Sequence, residues 1–387
     1  MALAVSGGSD STALLRLAGQ WALERGGKPK LSVLTVDHGL RQHAAAEAAQ
    51  VAAWASELGL EHHTLTWAGP KPASGIQAKA RAARYDLMAD WCRSHGATAL
   101  LTAHTLDDQA ETVLMRLTRT ASLDSLAGIP PVGQWNGIVL LRPLLEQSRN
   151  QLRGFLEMHR HDWIEDPSNM DERFERVRIR KLLAGLQSSG ISERRLADLA
   201  AECRDAAAVL SGAAQAFVTA HLAIHPEGYG TFPAIAFLAL PAAIRMRVLR
   251  RVIPLMGGGP MPERAELARM ASALETPGTR RSLGGAVVWS RKMDILVARE
   301  AGRIAEAPVT VPASGSVLWD GRFQVTAPPG STVLPARLFP GLPGAEGIPH
   351  LVKQAAPALQ LADGTAVGLS FGSAGPFCAK FRRHLPP

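Results

Sequence analysis

The chain has 387 residues, 47% of them hydrophobic and 20% charged, a composition that fits a soluble globular protein of two or three domains. Lys+Arg 42 against Asp+Glu 34 gives a formal net charge of +8, which permits a polyanionic partner and equally suits a plain basic surface. Cys92, Cys203 and Cys378 stand far apart and form no CxxC, which argues against a zinc ribbon, an iron–sulfur site or a disulfide framework.

In chain order, residues 1–5 are a short apolar run of strand character that breaks into Ser6-Gly7-Gly8-Ser9-Asp10-Ser11. From Thr12 apolar residues resume at helical spacing. Strand, Gly-rich turn and helix together aim backbone N–H groups and a helix N-terminus at a phosphate. The spacing matches neither the loop ending in Gly-Lys-Ser/Thr nor the dinucleotide fingerprint. A second β-rich run, 31–36, ends in Asp37-His38-Gly39-Leu40-Arg41. Residues 44–58 read as a helix, 61–67 as a strand, and 75–92 as a helix carrying Lys79, Arg81, Arg84 and Tyr85. A strand at 97–103 leads into His104-Thr105-Leu106-Asp107-Asp108-Gln109-Ala110-Glu111-Thr112, and a helix continues to 119.

Strands alternating with helices predict an α/β fold with a doubly wound parallel sheet. Ligands of such sheets lie beyond the carboxyl ends of the strands. The loop at 6–11, the segment from Asp37 to Arg41, and His104 with Asp107 and Asp108 each follow a strand directly, so they are expected on one rim. The alternative for the Asp107–Asp108 pair is helix capping, to which Asp at a strand–helix junction is suited.

Further along, 139–145 reads as a closing strand and 148–159 as a helix. Asp166-Pro167-Ser168-Asn169 has turn chemistry and precedes Arg176, Arg178, Arg180 and Lys181. From Ser192 the chain becomes Ala-rich, with one long helix over 193–222 and two more over 238–252 and 262–274. Residues 285–297 read as a hairpin, and the Pro/Gly-rich tail as a small loop-rich β module. The expected domains are 1–187, 188–300 (mainly helical) and 301–387. The longest apolar stretch, 232–244, is cut by Pro241 and too short for a bilayer. With no leader pattern, the expectation is a cytoplasmic protein without membrane contact.

SGGSDS at 6–11 resembles the SGGxDS signature of the PP-loop ATP pyrophosphatases, which cleave ATP between the α and β phosphates. VDHGLR at 36–41, AHTLDDQAETVLMRL at 103–117, LRPLL at 141–145 and DPSN at 166–169, in that order after the loop, resemble the tRNA(Ile)-lysidine synthetase family over residues 2–185. The resemblance implies a PP-loop (adenine nucleotide α-hydrolase-like) domain followed by a helical tRNA-binding domain and a small C-terminal module. It implies adenylation of O2 of the wobble cytidine in an isoleucine tRNA with a CAU anticodon. The ε-amine of free L-lysine then attacks C2, giving lysidine, AMP and pyrophosphate. Ser6, Gly7, Gly8, Ser9, Asp10 and Ser11 would hold ATP, with Mg2+ offsetting its charge and no metal site built from protein side chains alone. Asp37, Arg41, His104 and Asp107 are the candidate catalytic residues: carboxylates to bind and deprotonate the lysine ammonium, basic groups to meet phosphate charge. Arg81, in a helix resembling the family's AR..RY, is the candidate contact to substrate or tRNA. Asp108 and Glu111 are further candidate substrate-binding acids, Asp108 also having a structural alternative. A homodimer is compatible with the sequence.

The chain departs from the family pattern at Thr105, where a second histidine is usual, at 120–122, where a Gly-containing turn is usual, and at Val177, where Asn is common. A short segment usual upstream of the first strand is also missing. Three rivals carry other expectations. A PP-loop tRNA thiolase would rely on paired cysteines or a cluster, an amidating synthetase of the NAD or GMP type would carry a glutaminase nucleophile, and a degenerate PP-loop protein would only bind RNA.

Overall fold

The structure, a computed structural model, describes residues 1–37, 39, 44–67, 76–119, 122–165, 173, 175–342, 347–372 and 377–383. His38, Arg41 and the turn at 166–169 lie outside the described residues. The chain divides into two compact units, Met1–Ala207 and Ala208–Pro387.

In the first unit, β1 (Ala2–Ala4) is followed by α1 (Ser9–Glu24), β2 (Ser32–Asp37), α2 (Ala44–Glu57), β3 (Glu61–Thr66), α3 (Ile76–Ser94) and β4 (Ala99–Leu101). Then come α4 (Leu106–Leu117), the short α5 (Leu123–Leu126), β5 (Val132–Trp135), β6 (Ile138–Leu141), α6 (Arg149–Met158), α7 (Glu175–Leu186) and the start of α8 (Glu193–His221). The sheet has the order β3-β2-β1-β4-β6-β5, parallel except for the β5–β6 edge pair. The winding reverses between β1 and β4, and a crevice at such a switch point is the place where ligands settle.

The period-2 alternation of side chains splits the sheet between two cores. Leu3, Val33 and Leu101 point to a layer completed by α1, α2 and α6, with Leu14, Leu15, Val51, Trp54, Leu152 and Leu156 among its buried members. Their neighbours Ala2, Leu34 and Leu100 join Ile138 and Leu140 on the opposite face, under Tyr85, Met88, Ala89 and Cys92 of α3. Because both faces are covered, these strands read in sequence as continuous apolar runs. Off the sheet, Ala110 and Val113 of α4 pack on Ile179 and Leu183 of α7 and on Leu196 and Ala200 of α8. That contact carries the arginines of α7 to the rim.

The second unit is richer in strand than its Ala-rich pattern indicates. Its sheet of five strands, ordered β7-β8-β11-β10-β9, is built from β7 (Ala223–His225), β8 (Tyr229–Pro233), β9 (Arg280–Leu283), β10 (Ala286–Ser290) and β11 (Asp294–Arg299). Helices α9 (Ala234–Leu238), α10 (Ala242–Gly257) and α11 (Arg264–Ala273) are inserted between β8 and β9. Beneath α10, Val248, Leu249, Val252 and Ile253 meet Val288, Ile295 and Val297. β10 and β11 are the expected hairpin, in register from Ala286↔Arg299 to Ser290↔Ile295. Beyond it lie β12 (Val309–Thr310), β13 (Ser316–Trp319), β14 (Phe323–Thr326), β15 (Thr332–Pro335), α12 (His350–Gln354), β16 (Pro357–Gln360), β17 (Ala366–Gly368), β18 (Ser370–Phe371) and β19 (Cys378–Phe381). They form two four-stranded sheets around Trp319, Phe323, Val325, Val333 and Leu359. No helix among the described residues is long and apolar enough to cross a membrane.

Candidate active site

Val5 passes its N–H to the Leu34 carbonyl (2.9 Å), and the chain then turns sharply into α1. Gly7 sits at φ +89°, a left-handed conformation that favours glycine, and its carbonyl accepts from Ile164 N–H and Thr12 Oγ1 (2.9 and 3.0 Å). A Cβ on Gly7 would stand 2.5 Å from Ile164 Cδ1. Ser11 Oγ fixes the turn from inside, accepting from Ser6 N–H (3.2 Å) and donating to the Gly8 carbonyl (3.0 Å). Gly8 is the N-cap of α1, and no side chain caps it. The N–H groups of Ser9, Asp10 and Ser11 therefore have no intrahelical acceptor, and they lie at the positive end of the helix dipole. An uncapped first turn behind a glycine pair fits an oxyanion of a phosphate chain.

The second strand end is capped in the opposite way. Thr105, where the family commonly has histidine, is the N-cap of α4 and forms a capping box with Asp108. Asp108 Oδ2 accepts from Thr105 N–H (3.0 Å) and Thr105 Oγ1 (3.2 Å). The capping alternative thus applies to Asp108, and Asp107 is left one position earlier at the rim. His104 is buried between Thr102 and Arg81, with Thr102 Oγ1 2.9 Å from Nδ1 and Arg81 Nη2 3.2 Å from Nε2. A guanidinium only donates, so Nε2 is the acceptor and Nδ1 carries the proton, donating to Thr102. Burial lowers the imidazole pKa to about 4, with Asp108 opposing and Arg81, Arg142 and Arg176 reinforcing the shift. His104 is therefore a neutral hydrogen-bonding group near pH 7, not the positive charge that the sequence reading assigns to it for phosphate charge.

Arg149 joins these two strand ends. It is the first residue of α6, where Ser148 and Gln151 make a capping box, and its own backbone N–H donates to Asp107 Oδ2 (2.9 Å). Its guanidinium donates from Nε to Asp10 Oδ2 (3.1 Å), from Nη2 to Asp108 Oδ1 (2.9 Å) and from Nη1 to Glu111 Oε1 (3.0 Å). Arg180 Nε reaches the same Glu111 oxygen at 3.0 Å, and Arg176 Nη1 lies 3.7 Å from Asp108 Oδ1. Burial pushes the Asp10 carboxyl above its ordinary value, with Arg149 opposing and Asp108 reinforcing. Burial would also raise Asp108, but Arg149, the Thr105 amide and Arg176 outweigh it and hold the carboxyl below its ordinary value. Burial acts to lower the Arg149 pKa, but Asp108, Glu111 and Asp10 outweigh it and raise the pKa above its ordinary value.

The rim thus gathers Ser6–Ser11, His104, Asp107, Asp108 and Glu111, with Arg81 held against His104 and 5.2 Å from the Tyr85 ring centroid. Asp37 ends β2, the strand beside β1, and its Oδ1 accepts from Gly39 N–H (2.8 Å). Arg41 lies outside the described residues. Glu111 is 1% exposed, and Oε2 has no hydrogen-bond partner among the described residues. Sequence reading overlooks Arg149 altogether: one arginine after a capping serine is indistinguishable from a surface residue. Among the described residues no group of three His, Cys, Asp or Glu could hold a metal by itself.

A family model described as a PP-loop domain matches residues 1–186. The chain is 40% identical over 338 residues to the tRNA(Ile)-lysidine synthase of Ruegeria pomeroyi, covering 85% of this chain and 77% of that protein. It is 41% identical over 322 residues to the enzyme of the same name from Bradyrhizobium diazoefficiens, covering 80% and 89%. For that of Rhodopseudomonas palustris the identity is 44% over 292 residues, covering 74% and 83%. A U34-tRNA thiolase from Methanococcus maripaludis is a remote structural neighbour: 16% identity, 53% of this chain and 72% of that one, TM-score 0.46.

Arg149→Met strands the partly buried carboxylates of Asp10, Asp108 and Glu111, and should cost about 3 kcal/mol at pH 7 in urea unfolding. The deficit should shrink as pH falls through the acidic range, where the Asp10 and Asp108 carboxylates take up protons. For His104 the folded pKa of about 4 lies below the ordinary 6.5. Its contribution is therefore fully present above pH 6.5 and is lost as pH falls toward 4. The stability advantage of the unaltered chain over His104→Asn should narrow across that window, and a constant difference would mean that the fold does not lower the imidazole pKa.

Proposed function

The chain belongs to the tRNA(Ile)-lysidine synthase family, and from that premise we propose that it uses ATP to join free L-lysine to C2 of the wobble cytidine in the CAU-anticodon isoleucine tRNA. The observation that carries this reading is the joining of two strand ends: the phosphate loop of residues 6–11 and the acidic start of α4 meet through Arg149. One end suits the phosphates of a nucleotide and the other suits an ammonium group.

The first-turn N–H groups of α1, uncapped by any side chain, hold the departing pyrophosphate. Mg2+ bound with ATP offsets the charge of the phosphate chain. Asp10 is anchored by Arg149 and by Ser9 Oγ (3.2 Å), which fixes the direction of the first turn. Adenylation of the cytidine O2 turns a poor leaving group into AMP. The lysine ε-amine then forms the bond to C2 as the bond to the adenylated oxygen breaks, and its proton passes to a carboxylate. Asp107 is the acceptor: one of its oxygens is tied to the Arg149 amide, which orients the other. Asp37, at the end of the neighbouring strand, binds the ammonium form. Asp108 and Glu111 act on the substrate through Arg149, since the capping box and the guanidinium occupy Asp108 and two arginines share one oxygen of Glu111. His104 holds Arg81 toward the RNA. This chemistry takes place in the cytoplasm, where tRNA, ATP and lysine coexist.

Purified protein given Mg-ATP, radiolabelled lysine and a CAU-anticodon isoleucine tRNA should place label in the RNA and release AMP, both dependent on the wobble cytidine. AMP without label would assign another nucleophile, and absence of both would end the reading. Asp10→Ala should reduce AMP formation at least a hundredfold while RNA binding persists. Asp107→Asn should slow lysine transfer more than adenylation, and equal loss of both steps would make Asp107 a support of the loop instead.

A further inference from the structure

Around His104 and Asp108 the first unit collects arginines with few counter-charges among the described residues. Arg81 and Arg84 of α3 stand 5.2 and 5.6 Å from the Tyr85 ring centroid, and Arg81 also meets His104. Arg142, which follows β6, donates to the Pro130 carbonyl at 2.7 Å and acts electrostatically on Arg81 and His104. Among the described residues Arg176 of α7 has one ion-pair partner, Asp108 at 3.7 Å, through an oxygen that Arg149 already holds at 2.9 Å. Among the described residues no carboxylate lies within ion-pair distance of Arg81, Arg84 or Arg142, and the Nε atoms of Arg84 and Arg142 are shielded from solvent without a partner.

A shielded guanidinium without an anion is costly, and chains ordinarily supply one. Arg322 in the second unit, 1% exposed, illustrates the usual solution, with Asp320 at 2.6 Å. Burial lowers the pKa of both Arg84 and Arg142 from the ordinary value. The loop at 6–11 already offers backbone donors for nucleotide phosphates, and the carboxylate of an amino acid needs one guanidinium. Four of them, of which Arg81 is exposed, suit a chain of anions that runs out to solvent.

We propose that Arg81, Arg84, Arg142 and Arg176 form a subsite for the RNA phosphodiesters that flank the target nucleotide. This rests on the functional reading above and adds to it how the strand is gripped beside the reacting base. The arginines would position the strand by its backbone and leave base identity to other contacts.

The test is the salt dependence of binding to an anticodon stem-loop RNA, followed by fluorescence anisotropy between about 50 and 300 mM salt. Arg84→Gln, Arg142→Gln and the exposed Arg81→Gln should each weaken binding roughly tenfold at low salt and lower the slope of log Kd against log salt by about 0.7 to 0.9. Arg84→Lys should keep most of the slope. Arg81→Gln, at an exposed position, keeps the test readable should a variant at Arg84 unfold. Unchanged slopes would overturn the subsite, either with a raised KM for lysine, which would assign the arginines to the amino-acid carboxylate, or with a raised KM for ATP, which would assign them to the nucleotide. Unchanged slopes with both KM values intact would leave the cluster structural and overturn it equally. If the unaltered protein binds this RNA with the expected slope changes yet transfers no lysine, the functional reading fails and the subsite stands.

Discussion

Everything at the rim depends on one guanidinium. Arg149 binds Asp10 on the phosphate loop and Asp108 and Glu111 on α4, and its backbone N–H takes Asp107. Four acids gathered in one crevice would repel one another and draw in water. With Arg149 among them, each charge-assisted hydrogen bond is worth roughly 1.5–3 kcal/mol. The same bonds fix the distance between two strand ends that are far apart in sequence. Rigid spacing suits a two-step transfer, in which an activated substrate must meet a nucleophile in a fixed geometry.

The remaining polar groups follow from that arrangement. Asp108 is free to cap α4 because its other oxygen faces Arg149, and Thr105 supplies the reciprocal half of the capping box. Thr105 Oγ1 accepts from the Asp108 N–H and so closes the N-terminus of α4. Where α4 is closed, α1 is open, with glycine at its N-cap and no side-chain cap. Of two helices that begin at the same rim, α4 has a side-chain cap and α1 has none.

The rim also has two electrostatic halves. Around Arg149 carboxylates are in excess, which suits an ammonium nucleophile. Around His104 and Tyr85 arginines are in excess, and the neutral imidazole, its pKa near 4, adds no charge to them. Asp108 stands between the halves and serves both Arg149 and Arg176. Such a division suits substrates of opposite charge that must meet without either being neutralised beforehand.

The sequence by itself determined the alternation of strands and helices, the left-handed glycine turn at 6–8 and the expectation that segments following strands share a rim. Each is a local signal: period 2 or 3.6, a glycine pair, a strand that ends in Asp or His. It also indicated the hairpin at 285–297, but not the five-stranded sheet to which that hairpin belongs, because β7 and β8 are short and are separated from β9 by three helices. Tertiary structure alone decided that Arg149 is the centre of the site. Its partners lie 139, 41 and 38 positions away, and one arginine carries no periodicity that could announce them. It also decided which acid caps α4 and which accepts from the Arg149 amide, and that burial holds the His104 imidazole neutral. These are properties of burial and of neighbours brought together by the sheet, and burial is set only when the whole chain has packed.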